Sequence, residues 1–271
     1  MAIPRPSSSA VPSWKGKIFV ARFILVHGAW HGGWCWEEIV PRLAALGHQV
    51  CAPDLPGMGA DAISGHVATL EEWAMFIAGM ASAAAQPAIL MGHSRGGIVI
   101  SRAAELVPWA ISDLVYLAAV MATPGQCMND LFTIAGEEPK QDLTASIAVS
   151  ADGRTTRWHA RDTAIAAFYG LTPREKAEAA FARLTPEPAS MRMAPVMLSA
   201  SRYGRIDRHY IHCTQDKSVS PELQREMVAR QSCATYTLNA DHSPFYSTPE
   251  QLVETIDHIA SSSANSRLVS Q

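Results

Sequence analysis

A serine flanked by glycines, Gly92-His93-Ser94-Arg95-Gly96, stands where one apolar run, Ala88–Met91, gives way to another that opens on Gly96-Gly97. The first run reads as a strand and the second as a helix, so the chain must turn sharply at Ser94. Such a turn strains the serine backbone and lifts its hydroxyl above the neighbouring peptides, while the glycines remove side chains that would clash. The N–H groups at the start of the following helix point toward any anion that develops there. A serine hydroxyl is a poor nucleophile near neutral pH and needs a base within hydrogen-bond reach. With one, its chemistry is acyl transfer.

Ten histidines compete for that role. His242, in Asn239-Ala240-Asp241-His242-Ser243, follows the last expected strand and precedes the last helix, at the same sheet edge as Ser94. Ligands of open α/β sheets bind at that carboxyl edge. His27 also ends a strand, but the glycine after it suits loop formation, and His93 should turn away from the nucleophile. His48, His66, His159 and His258 read as surface or packing residues, and His209 and His212 as core or sheet-face residues. The base in turn needs a carboxylate to fix its tautomer. Asp216, beyond the strand ending Tyr210-Ile211-His212-Cys213-Thr214, is better placed than Asp241, which would have to fold back on its own neighbour. Asp113, Asp130 and Asp257 read as surface charges. Donors for a tetrahedral oxyanion are expected from the N–H of Arg95 and, in the Gly-rich loop His27-Gly28-Ala29-Trp30-His31-Gly32-Gly33, from the N–H of Ala29.

The elements around these residues alternate. Expected strands are Ile18–His27, His48–Ala52, Ala88–Met91, Leu114–Ala119, Arg208–Thr214 and Thr235–Leu238. Expected helices are Trp36–Leu46, Thr69–Ala85, Gly96–Val107, Pro221–Arg230 and Pro249–Ala260. Continuously apolar strands between helices imply a mostly parallel α/β sheet covered on both faces. The core is expected over 18–120 and 201–260. The interval 121–200 shows no convincing strand and is too long for a plain loop, so a helical cap inserted between core strands is expected. Residues 1–17 and 261–271 read as flexible tails. The 271 residues are 48% hydrophobic and 17% charged with a net charge of −3, which excludes a disordered chain and argues against nucleic-acid binding. Five scattered cysteines without a CxxC argue against a disulfide framework or a zinc knuckle. No apolar stretch approaches bilayer length and no signal peptide is evident, so the expectation is a cytoplasmic protein with no membrane partner.

Together these residues resemble the α/β-hydrolase superfamily, in the branch that holds methylesterases, hydroxynitrile lyases and pyrethroid-hydrolase-like carboxylesterases. The segments that carry the resemblance are LVHGAWHGGWCW (Leu25–Trp36), GHSRGG (Gly92–Gly97), YIHCTQDKSVSPELQ (Tyr210–Gln224) and NADHSPFYSTPEQL (Asn239–Leu252). It implies Ser94, Asp216 and His242 as a catalytic triad in that chain order, with the Ala29 and Arg95 amides as the oxyanion hole. Hydroxynitrile lyases of this branch place a threonine after the first-loop histidine and a lysine after the catalytic one. Here Gly28 and Ser243 stand there, which favours hydrolysis. Relatives that use an aspartate nucleophile are excluded by Ser94. Arg95 departs from the apolar residue usual in plant members and opposes the helix dipole. It either pairs with an acidic group or water at the pocket wall, or stands in solvent.

The expected activity is that of a serine carboxylesterase for a small to medium apolar ester, with no metal and no organic cofactor. Carbamate or amide hydrolysis, the lyase reaction and a non-catalytic receptor are the alternatives. Substrate-binding candidates are Gly28, Trp30, His31, Phe132, Trp158, Phe168, Tyr169 and Phe245. Leu131, Phe181, Met191 and Met193 add apolar cap surface, at least half of the cap set being expected to form the cap's own core. The resemblance is compatible with a homodimer.

Overall fold

The structure, a computed structural model, describes residues 20–134 and 145–269. In chain order the core elements are β1 (Arg22–Val26), α1 (Ile39–Ala45), β2 (Gln49–Cys51), α2 (Leu70–Ser82), β3 (Ala88–His93), α3 (Gly96–Leu106) and β4 (Ile111–Leu117). The segment that follows carries α4 (Met128–Ile134), β5 (Ile147–Val149), β6 (Thr155–Trp158), α5 (Arg161–Phe168), α6 (Arg174–Ala182) and β7 (Glu187–Pro188). The chain then returns to the core with β8 (Asp207–Cys213), α7 (Pro221–Ala229), β9 (Ala234–Leu238), α8 (Pro244–Ser247) and α9 (Pro249–Val269).

Six strands form one sheet in the order β2-β1-β3-β4-β8-β9, with every neighbouring pair parallel. Alternate side chains sort to its two faces, as the twofold period of a strand requires. Ile24, Val26, Leu90, Leu114 and Tyr116 pack with α2, α3 and α7 on one face. Phe23, Leu25, Met91, Val115 and Leu117 pack with α1 and α9 on the other. The chain leaves β1 for β2 on one side and crosses back to β3 on the other. The carboxyl ends of β1 and β3 therefore flank the point where strand order reverses, the place at which open α/β sheets bind ligands.

Three expectations need correction. The interval 121–200 is not purely helical: β5, β6 and β7 form a small antiparallel sheet of their own. The stretch expected as a tail from 261 continues α9 through Val269, with Ser263 and Ala264 buried, while residues 270–271 lie outside the described residues. The helix expected over Trp36–Leu46 is split into a tight 3-10 turn at Gly33–Trp36 and α1. Pro41 has no N–H to give the carbonyl four residues back, so α1 starts just before it. The expected tail 1–17 lies outside the described residues. Among the described residues no helix is long and apolar enough to cross a membrane.

Candidate active site

Ser94 sits between β3 and α3 with φ +53°, a left-handed conformation that costs energy for a side chain with a Cβ. Two hydrogen bonds pin it there: its N–H donates to Leu117 O at 3.2 Å, and its carbonyl accepts from Val120 N at 2.9 Å. A Cβ on Gly92 would lie 2.7 Å from the Gly96 backbone, so the turn closes only with glycine at that position. A Cβ on Gly28 would lie 2.9 Å from Ser94 Cβ, so the loop after β1 lies directly against the serine.

Asp216 and His242 come together because the β8–β9 pairing continues past the strands, through Thr214 N to Leu238 O and Gln215 N to Ala240 O. His242 Nδ1 donates to Asp216 Oδ2 at 2.7 Å, and both side chains are buried. The bond leaves Nε2 as the basic nitrogen of a neutral His242. Asp216 Oδ1 accepts from the N–H groups of Ser218 and Val219 at 2.7 and 2.9 Å, and Gln224 Nε2 approaches Oδ2 at 3.4 Å. Ser220 Oγ caps α7 by accepting from Leu223 N, as Ser220-Pro221 suggests, and α7 delivers the buried Gln224. Asp241 is occupied elsewhere. Its carboxylate accepts from Leu171 N, Thr172 N and Thr172 Oγ1, and from Ser243 N and Ser247 Oγ.

The remaining histidines separate by their hydrogen bonds. His93 Nε2 donates to His242 O at 2.7 Å and the two rings lie 4.6 Å apart, so the elbow and the His242 loop are fastened together. Burial, then the neighbouring His242 and His31, hold the His93 pKa well below the usual imidazole value. His27 Nε2 accepts from Leu55 N at 3.1 Å and its Nδ1–H donates to Gly28 O at 2.9 Å, a loop-forming role. Burial, reinforced by Arg95, lowers its pKa to about 3. His31 Nδ1 donates to Ala29 O at 2.7 Å and Nε2 accepts from the Tyr169 hydroxyl at 2.7 Å. Burial lowers its pKa to about 4. His48 is buried between Ala21 N and Asp257. His209 is buried 3.5 Å from Asp113, which the sequence placed on the surface and the structure places wholly inside.

Arg95 is not in solvent. It is 1% exposed, its Nε lies 3.0 Å from Glu187 Oε2, and its guanidinium stacks 4.2 Å from the Trp73 ring centre. Among the described residues neither the Arg95 nor the Ala29 backbone N–H donates to a protein acceptor. Trp30, Trp158 and Phe168 pack on one another in a buried aromatic cluster, and Phe168 approaches the His242 ring at 5.6 Å. Phe245 is fully buried against His93 and Trp36. Leu131 and Met191 are buried in the core, whereas Met193 is 63% exposed. The side chain of Phe132 lies outside the described residues. An open groove of about 810 Å³ at the opposite edge of the sheet, lined in part by Arg22, Trp109 and Asp207, contains none of these groups.

Sequence reasoning missed Glu187, Gln224 and Asp54, whose carboxylate accepts from Gly33 N at 2.7 Å and Ala60 N at 2.9 Å to hold the first loop. Glu187 and Asp54 reach partners distant in the chain, Arg95 and Gly33, whereas Gln224 acts on the nearby Asp216 and Cys213, and no local pattern marks any of the three.

A strained serine at a strand-to-helix turn, with the loop of a buried His–Asp pair fastened to that turn through His93, at the carboxyl edge of a parallel sheet, fits the architecture of the alpha/beta hydrolases. The chain belongs to the alpha/beta hydrolase family, whose model matches residues 23–255. It is 31% identical to esterase PIR7B of Oryza sativa subsp. japonica, over 88% of this chain and 95% of the relative. It is 29% identical to methylesterase 7 of Arabidopsis thaliana, over 88% of this chain and 96% of the relative. Among solved structures it resembles a pyrethroid hydrolase from Sphingobium faniae JZ-2, with a TM-score of 0.81 and 30% identity over 91% of this chain and 100% of that one.

Proposed function

We propose that this protein is a serine carboxylesterase that cleaves a small to medium apolar ester through an acyl-enzyme. The observation that carries the reading is the buried 2.7 Å bond from His242 Nδ1 to Asp216 Oδ2, with the His242 loop tied by His93 Nε2 to the elbow that holds Ser94 at φ +53°. In this mechanism His242 Nε2 takes the Ser94 proton as Oγ attacks the ester carbonyl. The negative charge on the carbonyl oxygen forms against the Ala29 and Arg95 N–H groups. His242 then protonates the departing alkoxide, and the acyl group stays on Ser94. Water, deprotonated by His242, attacks that acyl group, and the carboxylic acid leaves as Ser94 recovers its proton. Asp216 holds the tautomer and stabilises the imidazolium. The aromatic cluster of Trp30, Trp158 and Phe168, which reaches the His242 ring through Phe168, supports an apolar substrate, and the relatives' names, esterase, methylesterase and pyrethroid hydrolase, support an ester. Five unpaired cysteines support a reducing compartment, the cytoplasm in this proposal.

A fluorophosphonate probe tests the reading. Wild-type protein is expected to be labelled covalently and Ser94→Ala to be neither labelled nor active. Folded wild type that resists the probe overturns an enzyme in favour of a receptor. Cyanide release from an aromatic cyanohydrin faster than cleavage of any ester overturns hydrolysis.

A further inference from the structure

We propose that the Arg95 side chain is a positioning residue for the peptide that binds the oxyanion, and that the cap holds it in place through Glu187. The inference rests on the hydrolase reading above. Its starting point is the Gly28–Ala29 peptide. The Gly28 carbonyl and the Ala29 N–H belong to one rigid plane and point in opposite directions. The N–H is the half assigned to the oxyanion, and the oxygen is the half by which the protein grips that plane.

Two donors reach the Gly28 oxygen, Arg95 Nη2 at 2.9 Å and His27 Nδ1 at 2.9 Å. The Leu55 N–H on Nε2 fixes the His27 tautomer, so that donor is a neutral N–H. The other is cationic. Charge-assisted bonds are the stronger kind, and donation to a carbonyl oxygen polarises its amide so that the opposite N–H donates more strongly. The arginine therefore both aims the Ala29 N–H and strengthens it. Its own backbone N–H supplies the second donor, so one residue serves both halves of the hole.

The guanidinium has little freedom to do anything else. Glu187 holds its Nε, and Trp73 lies against its face. Glu187 belongs to β7 of the cap, and its neighbourhood grips the same loop from the other side. Thr185 N donates to Trp30 O at 2.8 Å, and Trp30 Nε1 donates to Thr156 O at 3.2 Å. Burial raises the Glu187 pKa and lowers that of Arg95, opposed in each case by the partner's charge. Arg95 Nη1 is buried without a partner among the described residues. A buried pair with one donor unmet is a poor device for stability, since apolar residues of similar volume often do as well or better. Orienting a dipole beside the nucleophile is a duty that apolar residues cannot perform.

The test compares Arg95→Met, Arg95→Lys and Glu187→Gln with wild type, each rate being divided by the active sites titrated to completion with the fluorophosphonate. Arg95→Met is expected to lower kcat by about 10- to 100-fold, less than or equal to the loss of a whole oxyanion donor, with KM within about twofold. A trifluoromethyl ketone analogue, which adds Ser94 to form an oxyanion, should weaken by the same factor as kcat/KM. Arg95→Lys should recover part of the loss. Unchanged kcat per titrated site overturns the inference even where thermal stability falls, because a structural role changes only the number of folded sites. If Arg95→Met does not fold, Glu187→Gln decides: a several-fold loss of kcat with parallel weakening of the ketone supports the inference, and wild-type kcat overturns it. Failure of the underlying reading looks different, since then Ser94→Ala keeps its turnover or wild type has none.

Discussion

Two aspartates flank His242, one in space and one in sequence, and their hydrogen bonds give them separate duties. Asp216 accepts hydrogen bonds from the His242 Nδ1–H and from two backbone N–H groups, so replacing it by asparagine removes the acceptor that fixes the histidine tautomer. Asp216→Asn is expected to lower kcat by about 10⁴-fold with a small change in melting temperature, as tautomer control of a catalytic histidine implies. Asp241 receives five donors, three of them from Leu171 and Thr172 in the turn between α5 and α6. Asp241→Asn replaces an acceptor by a donor facing those donors, and is expected to cost roughly 1–3 kcal/mol of stability with a far smaller effect on kcat per titrated site. Urea denaturation and active-site titration measure the two outcomes together. If Asp241→Asn abolishes turnover in folded protein while Asp216→Asn leaves it intact, the roles assigned to the two carboxylates are reversed.

At the scale of elements, what could be read from the sequence depended on how far each signal reaches. The inner strands β1, β3 and β4 were legible because burial on both faces makes them short, largely apolar runs. The edge strands β2 and β9 are partly or largely exposed and were legible only from their place between helices. Ser94 follows β3, Asp216 follows β8 and His242 follows β9. The order of the strands in space was not legible, since no local pattern records that β1 lies between β2 and β3. The short strands β5 to β7 between β4 and β8 were missed because runs of two to four residues give no period. One mark was nonetheless present. Asp152-Gly153 stands between Ile147–Val149 and Thr155–Trp158, the aspartate-glycine signature of a hairpin turn. Gly153 takes φ +73°, and a Cβ there would meet nothing within 4 Å. Substitution is therefore opposed by backbone strain alone. Gly153→Val is expected to cost about 1–2 kcal/mol, the penalty of a left-handed conformation for a side chain with a Cβ. A melting temperature equal to that of wild type would mean that the hairpin is not part of the cooperative fold. Arg95 and Glu187 were illegible for a related reason: a charge beside the nucleophile shows in the sequence, but its partner stands on β7, a strand of two residues that no period marks.

Across the whole molecule, the site rests on imidazoles that folding keeps neutral. His27 and His31 are lowered from the usual imidazole value to about 3 and about 4, in both cases chiefly by burial. Above about pH 6.5 these histidines are neutral in the folded and the unfolded chain alike, and their contribution to stability is fully present. As the pH falls below that value the unfolded chain binds protons that the folded chain cannot, so stability drops until the folded pKa values are reached. Each histidine contributes a slope approaching 1.4 kcal/mol per pH unit, about the energy of one unit of pKa shift. The structural consequence is local as well, because a protonated His31 Nε2 no longer accepts the Tyr169 hydroxyl that ties the end of α5 to the first loop. Urea midpoints measured from pH 7 to pH 4.5 are expected to fall steeply for wild type. His31→Gln, less stable at pH 7 for want of its ring packing, should fall less steeply, by the share of one histidine. The difference between the two slopes isolates His31 from the carboxylates that titrate in the same range, because those are common to both proteins. Parallel slopes would mean that the folded protein protonates His31 as readily as the unfolded chain does, and that burial does not hold the ring neutral.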